Sequence, residues 1–438
     1  MKKIIKDSIK KILGWRIINL LATLVLPEQK KRLNKIMALE EARRDTIKPN
    51  SRPSKITISL SNCCNLLCPI CSIHNLRSNG IRRAVNNISI ENIKVMDEIF
   101  DKAKSANFMG HIGESILNPD FIEIINYIKL KYKLELSIST NGMGLNEKIQ
   151  DTMLKIGFDS IAFSIHASTP ETYGILQAGN FEMVIGNLTS LAEKKIKGNY
   201  KKPKISIVYA LNKVNVDEAY KMIDLAKKLR VNALNFCRYL DYNHKISKVI
   251  FDDIEEANNK IDSLYEYARE HDSLEALPKE RPYLKIIEEK SNRELCNYNE
   301  EIKCTLPWTG LQMRASYSHD DSYYLGCCNV FNSFLFNYKK HIDKYGRVDF
   351  EKIWHHPVLQ YLRQTVNADG GRRNPLCAYC KSSQRAHLKA TNNKENYRIK
   401  LEMIDKFFQE FSKQYQEVEP VDGLEILYTE DEELHAMS

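Results

Sequence analysis

Between residues 55 and 240 the chain alternates two rhythms. Short runs with apolar residues at every second position recur six times: KITISLS (55–61), NFMGHIG (107–113), LELSIST (134–140), SIAFSIH (160–166), KISIVYA (204–210) and ALNFCRY (233–239). Between them, apolar residues return at three- and four-residue intervals, over roughly 90–105, 119–132, 146–156, 181–196 and 215–229. Period two marks strands and period 3.6 marks helices, so the pattern predicts repeated βα units on a parallel sheet.

The strands have two unlike faces. Ile161, Phe163 and Ile165 oppose Ser160, Ala162, Ser164 and His166, and Ile56, Ile58 and Leu60 oppose Thr57, Ser59 and Ser61. In 134–140, Leu134, Leu136 and Ile138 oppose Glu135, Ser137 and Ser139. A parallel strand covered by helices on both faces reads as unbroken apolar sequence. One greasy and one small, polar face instead predict an α/β barrel or half-barrel whose lumen receives a polar ligand.

Outside this region the pattern changes. Residues 1–54 form a basic leader, 241–300 a charged helical connector, 301–390 a second unit rich in cysteine, and 391–438 a helix with an acidic tail. In the leader, Ile5, Ile9, Ile12, Leu13, Ile17, Leu20, Leu21 and Leu24 recur at helical spacing beside five lysines. The apolar run is too short to span a bilayer, for which roughly 20 residues are needed, and no cleavage site follows it. Two placements of residues 1–26 fit: packed on the core, or flat on an anionic membrane surface. The protein is expected in the cytoplasm, on the inner membrane face in the second case.

Composition is that of a soluble globular chain, with 43% hydrophobic and 28% charged residues among 438. The net charge of +9 is concentrated at the start, where residues 1–60 carry 15 Lys and Arg against 5 acids. The remaining basic charge is thinly spread, so no nucleic-acid face is expected.

Eleven cysteines change the picture. Four of them fall in SNCCNLLCPICS (61–72), directly after the first strand. An odd count in a long chain without an export signal argues against a disulfide framework. Metal is the better reading, and Cys64-x3-Cys68-x2-Cys71 is not a zinc-ribbon spacing. Three thiolates on one loop suit an iron–sulfur cubane with one iron left open, and zinc is the alternative. The loop lies where active sites of such sheets are found, at the C-terminal end of the strands.

CxxxCxxC after the first strand of a βα repeat resembles the radical S-adenosylmethionine (SAM) enzymes. Further marks follow in order: GHIGES (110–115) after the second strand, STNGMGL (139–145) after the third, and FSIHASTPETYGILQAGNFEMVIGNL (163–188) at the fourth. The resemblance implies a partial (β/α)6 TIM-like barrel in which Cys64, Cys68 and Cys71 hold a [4Fe-4S] cluster. It implies SAM contacts from Ile70, Gly113, Glu114, Asn141 and Ser164, with Glu114 receiving the amino group. Ile112 replaces a glycine of the family pattern, His166 stands where Asp is common, and Gln177 where Arg is common.

CTLPWTGLQM…DSYYLGCC (304–328), FEKIWHHPVLQYLRQTV (350–366) and LCAYC (376–380) resemble the C-terminal module called SPASM or, when shorter, twitch. That resemblance implies an α+β iron–sulfur module in which Cys304, Cys327, Cys377 and Cys380 hold one auxiliary [4Fe-4S] cluster. Cys328 is the alternative to Cys327, and a structural zinc is the alternative to the cluster. Cys237 has lumen parity in the sixth strand and is either a buried small hydrophobe or a hydrogen-atom donor; Cys296 is a weaker candidate for that role.

The expectation is therefore a radical SAM oxidoreductase or epimerase served by an external electron donor such as flavodoxin or ferredoxin. Its substrate is a polar small molecule, above all a sugar, with a glycolipid or a ribosomally made peptide as alternatives. A sulfatase-type maturase and a non-catalytic iron–sulfur or zinc scaffold are the rival readings.

Overall fold

In the computed structural model the six expected strands lie side by side in chain order: β1 (Lys55–Ser59), β2 (Ser105–Met109), β3 (Glu135–Thr140), β4 (Ser160–Ser164), β5 (Lys204–Leu211) and β6 (Ala233–Arg238). All adjacent pairs are parallel. The structure describes residues 27–69, 71, 85–109, 113–238, 251, 253–271, 304–315, 323–326, 335–368, and the positions 406, 409, 413, 424 and 425. Residues 1–26 and most of the acidic tail lie outside these.

The two strand faces separate as the sequence predicts. Ile56, Ile58, Ala106, Phe108, Leu136, Ile138, Ile161, Phe163, Ile205 and Ile207 are all within 2% of complete burial beneath the helices. Their alternates, such as Asn107, Ser137, Ala162 and Ser206, are only half-buried on the other face. Ser137 Oγ donates to Asn107 Oδ1 across neighbouring strands at 3.0 Å, so part of the polar face satisfies itself.

Helices cover the greasy face. Phe121–Tyr132 buries Phe121, Ile124, Ile125 and Ile128, a one-sided stripe at helical spacing. Asn146 and Asn180 cap the helices Glu147–Ile156 and Phe181–Lys197, each side chain accepting the backbone N–H of the helix's third residue. The expected helix over 90–105 is two pieces, Ile90–Val95 and Asp97–Asp101, because Met96 leaves helical geometry between them. The second strand starts two residues earlier than expected, because the Lys104 and Ser105 amides both donate to Ser54 O and open the ladder there. Helix Pro170–Leu176 was not anticipated.

A seventh parallel strand, β7 (Gly310–Ala315), pairs with the outer edge of β1, Ile56 opposite Leu311 and Ile58 opposite Met313. Leu311 and Met313 are buried on the same face as their partners. The parallel sheet therefore has seven strands. The six-strand expectation missed one because pairing across 250 residues of chain leaves no local signal. Beyond β7, the short antiparallel strands β8 (Tyr323–Gly326), β9 (Leu335–Asn337) and β10 (Leu424–Glu425) continue the edge.

The segment before β1 is held between the barrel and the helices Phe350–Trp354 and Pro357–Thr365. Trp308 Nε1 donates to Thr46 O at 2.7 Å, and Trp354 Nε1 to Ser51 O at 2.9 Å. Arg363, fully buried, donates to Pro307 O and Trp354 O and stacks 4.3 Å over the Trp354 ring. One hydrophobic cluster runs from Ala42 through the barrel to Val366. No helix among the described residues is long and apolar enough to cross a membrane.

Candidate active site

The loop after β1 is built by short-range polar bonds that turn it at once across the strand ends. Ser61 Oγ accepts the Cys63 amide at 3.1 Å, and Asn62 exchanges backbone and side-chain bonds with Asn86. Leu66 turns inward and is 5% exposed, whereas Leu67 is 53% exposed. Leu66 Cδ2 lies only 2.6 Å from where a Cβ on Gly179 would stand, so any larger residue there would push Leu66 aside.

Cys63, Cys64, Cys68 and Cys71 are half-buried thiols outside any disulfide. The Cys71 amide donates to Cys68 O at 2.9 Å, which folds the second half of the motif into a turn. Burial, followed by the proximity of Cys71 and Cys64, pushes the Cys68 thiol up to about 12. Three sulfurs that repel one another as anions on one loop have the chemistry to hold a cationic iron–sulfur group. Among the described residues no three ligand-type side chains close into a cage for a single metal ion. Ile70 lies outside the described residues.

Two further strand ends converge on this loop. Gly113 packs directly on it: a Cβ there would meet Ser61 O at 2.2 Å and Cys63 O at 2.7 Å. Glycine at 113 thus lets β2's end approach the loop's backbone closely. The next amide, of Glu114, donates to Cys63 O at 2.6 Å. The Glu114 side chain is 4% exposed and accepts from the Asn141 amide at 2.8 Å, from the Ile116 amide and from the Thr140 hydroxyl. Burial outweighs these donors and pushes its carboxyl above the usual range. Asn141 then reaches back, its Nδ2 donating to Asn65 Oδ1 at 2.8 Å and approaching Cys64 Sγ at 3.8 Å. Cys64, Glu114 and Asn141, from three strands, are one hydrogen-bonded unit.

The fourth strand ends in a clamp that sequence reading did not find. Gln177, 2% exposed, donates from Nε2 to Ser164 O at 2.9 Å and accepts the His166 amide on Oε1 at 2.7 Å. It extends the ladder by one side-chain amide, a structural task. His166 Nδ1 accepts the Ala210 amide at 3.1 Å, so the ring leans across β5, and burial pulls its pKa down to about 4. Ala210 is registered with Cys237 on β6. Cys237 is half-buried on the lumen face, donates weakly to Tyr209 O at 3.9 Å, and is pushed up by burial. Tyr173, nine residues past the end of β4, also packs at the cysteine loop; its only sequence signal was an aromatic in a polar run.

Cys304 lies far from this loop in chain but against the common core. Its amide donates to Asn367 Oδ1 at 2.8 Å, and Asn367 in turn bonds Asp45. Cys296, Cys327, Cys328, Cys377 and Cys380 lie outside the described residues.

Residues 58–226 match the model of the Radical SAM superfamily. A probable GTP 3′,8-cyclase of Saccharolobus solfataricus is 26% identical over 183 residues, covering 41% of this chain and 55% of the relative. An S-adenosylmethionine-dependent nucleotide dehydratase of Selenomonas ruminantium is 31% identical over 127 residues, covering 29% of this chain and 44% of the relative. The chain thus spans about half the length of the curated relatives it matches. Among solved structures, Streptococcus suis SuiB bound to S-adenosylmethionine superposes with a TM-score of 0.52 at 14% identity, over 72% of this chain and 68% of SuiB.

Proposed function

We propose that the radical SAM domain of this chain removes a hydrogen atom from a polar substrate bearing a sugar or sugar-like group, and so dehydrogenates or epimerises it. Cys64, Cys68 and Cys71 would hold a [4Fe-4S] cluster, which when bound would supply the electron that cleaves SAM to methionine and a 5′-deoxyadenosyl radical. The chain's own residues do the rest. Glu114 takes the ammonium group of SAM, Asn141 holds Glu114 against the cysteine loop, Ser164 offers its hydroxyl at the end of β4, and Ile70 supplies an apolar contact to adenine. The observation that carries this reading is the hydrogen-bonded union of Cys64, Glu114 and Asn141 at the C-terminal ends of β1, β2 and β3.

The small, polar lumen face supports a substrate rich in hydroxyls. The two relatives named for nucleotide substrates, which carry a ribose, support the sugar class over peptide. In dehydrogenation the substrate radical would lose a proton to solvent and an electron to an auxiliary cluster on Cys304, Cys327, Cys377 and Cys380. In epimerisation the Cys237 thiol would return a hydrogen atom to the opposite face, and a flavodoxin- or ferredoxin-like donor with a solvent proton would restore it.

The test is anaerobic reconstitution followed by iron and sulfide analysis and SAM cleavage under dithionite. Wild type is expected to bind about eight irons and release deoxyadenosine; the Cys64/Cys68/Cys71→Ala protein should bind about four and release none. Turnover of nucleotide sugars but not peptides supports the substrate class, and peptide-dependent deoxyadenosine reverses it. Cys237→Ala that still cleaves SAM but no longer inverts the product selects epimerisation; an unchanged product removes Cys237 from the chemistry. A well-loaded protein that makes no deoxyadenosine sinks the whole reading.

A further inference from the structure

The fourth-strand connection carries a polar atom whose protein environment does not account for it. Tyr173 is fully buried, yet its Oη has no hydrogen-bond partner among the described residues. Buried hydroxyls are almost always paired, because desolvating one without a partner is costly. Tyr209 provides the internal contrast. It is equally buried, lies one strand further on, and its Oη donates to Asn215 O at 3.0 Å and meets Ser168 Oγ at 3.3 Å.

The position of Tyr173 is fixed by its backbone and ring. Thr169 caps the helix, its carbonyl accepts the Tyr173 amide at 2.9 Å, and the Tyr173 carbonyl accepts the Gln177 and Ala178 amides. The ring stands 5.6 Å from that of Phe181. Its Cε1 edge lies 3.0 Å from the Cβ position of Gly179, the same point against which Leu66 packs at 2.6 Å. Leu66 is the middle of the loop between Cys64 and Cys68. The hydroxyl therefore stands beside the cysteine loop, within electrostatic reach of Cys68 and Cys64, and together with burial these hold its proton firmly on the oxygen.

We infer that the Tyr173 hydroxyl donates a hydrogen bond to the iron–sulfur group held by Cys64, Cys68 and Cys71, and that this bond raises the reduction potential of that group. The inference rests on the cluster assignment made above. A donor to sulfur favours the more negative, reduced state, which is how such bonds tune cluster potentials. Gln177 spends both amide atoms, and His166 its Nδ1, on backbone.

The test compares wild type with Tyr173→Phe, which keeps the ring and removes only Oη, and uses Tyr209→Phe as the control. Without the cluster, Tyr173→Phe should unfold at the same or a higher temperature than wild type, whereas Tyr209→Phe should unfold lower. A Tyr173→Phe protein less stable without its cluster would mean that Oη has a protein partner, and would overturn the inference even if the variant loads poorly. With the cluster loaded and iron counted, Tyr173→Phe should show a reduced-to-oxidised cluster ratio about tenfold lower at any given potential. That corresponds to a fall of ~59 mV for a one-electron couple, read by EPR-monitored titration. One exchangeable-proton coupling should vanish from the reduced-cluster spectrum on the same substitution. Unchanged potential and couplings at full iron content overturn the inference and leave the cluster assignment standing. A wild type that loads no iron overturns both.

Discussion

The backbone amide of Asn141 donates to Oε2 of Glu114 at 2.8 Å, joining the ends of β2 and β3 through one buried carboxylate. Because Asn141 also touches Asn65 and Cys64 with its side-chain amide, a change at Glu114 is transmitted to the cysteine loop. The carboxylate proposed to take the ammonium group of SAM is therefore also a structural tie.

Glu114→Gln separates these tasks. The amide keeps an oxygen for the Asn141 N–H but carries no charge. SAM affinity should fall roughly 10- to 100-fold by calorimetry, the loss of a charge-assisted hydrogen bond of ~1.5–3 kcal/mol. Retained affinity would show that the ammonium group binds elsewhere.

The raised Glu114 carboxyl has a pH signature in the ligand-free protein. The folded state holds the proton more tightly than the unfolded state, so this contribution to stability is full below the ordinary value of 4.5 and is lost as pH rises through the folded value. The wild-type unfolding midpoint, measured against that of Glu114→Gln, should decline upward from pH 4.5. A difference that stays flat with pH contradicts the assignment.

His166 contributes with the opposite sign. Its folded value of about 4 lies below the ordinary 6.5, so the unfolded chain binds the proton first. Stability is intact above pH 6.5 and is lost as pH falls toward 4. His166→Asn, which can still accept the Ala210 amide, should flatten the denaturant midpoint over that window.

Gly113→Ala should disable the site without reaching the ligand. The added methyl would stand 2.2 Å from Ser61 O, a backbone atom that cannot swing aside. A destabilisation of ~3 kcal/mol and poor iron retention after gel filtration are expected. Full iron retention with unchanged stability would mean that the loop yields more readily than its packing implies.

Gln177→Ala removes two buried bonds and strands the His166 amide and the Ser164 carbonyl. A loss of roughly 2–4 kcal/mol in urea unfolding is expected. Were Gln177 instead a substrate residue, stability would hold and only turnover would fall.

Much of this was written locally. Period two with one apolar and one small, polar face is a property of neighbouring residues, so β1 to β6 and the lumen face could be read directly from the chain. The spacing of Cys64, Cys68 and Cys71, and the positions of Gly113, Glu114 and Asn141 just after strands, are likewise properties of a few consecutive residues. These settled the α/β architecture and the chemistry to look for.

What only the tertiary structure decided involves residues distant in sequence. That Leu311 and Met313 extend the sheet beside Ile56 and Ile58 depends on a pairing across the whole barrel, which no window of sequence contains. Gln177 was a departure from the family pattern, and became a clamp only when its amide met the ends of Ser164 and His166. That Gly113 packs on the backbone of the cysteine loop was likewise decided only in three dimensions. Tyr173 was one aromatic among many until folding buried its hydroxyl with no partner among the described residues. Periodicity records which side of an element faces inward; which atoms meet there is fixed by packing, and hydrogen bonds are satisfied or left open only once it is complete.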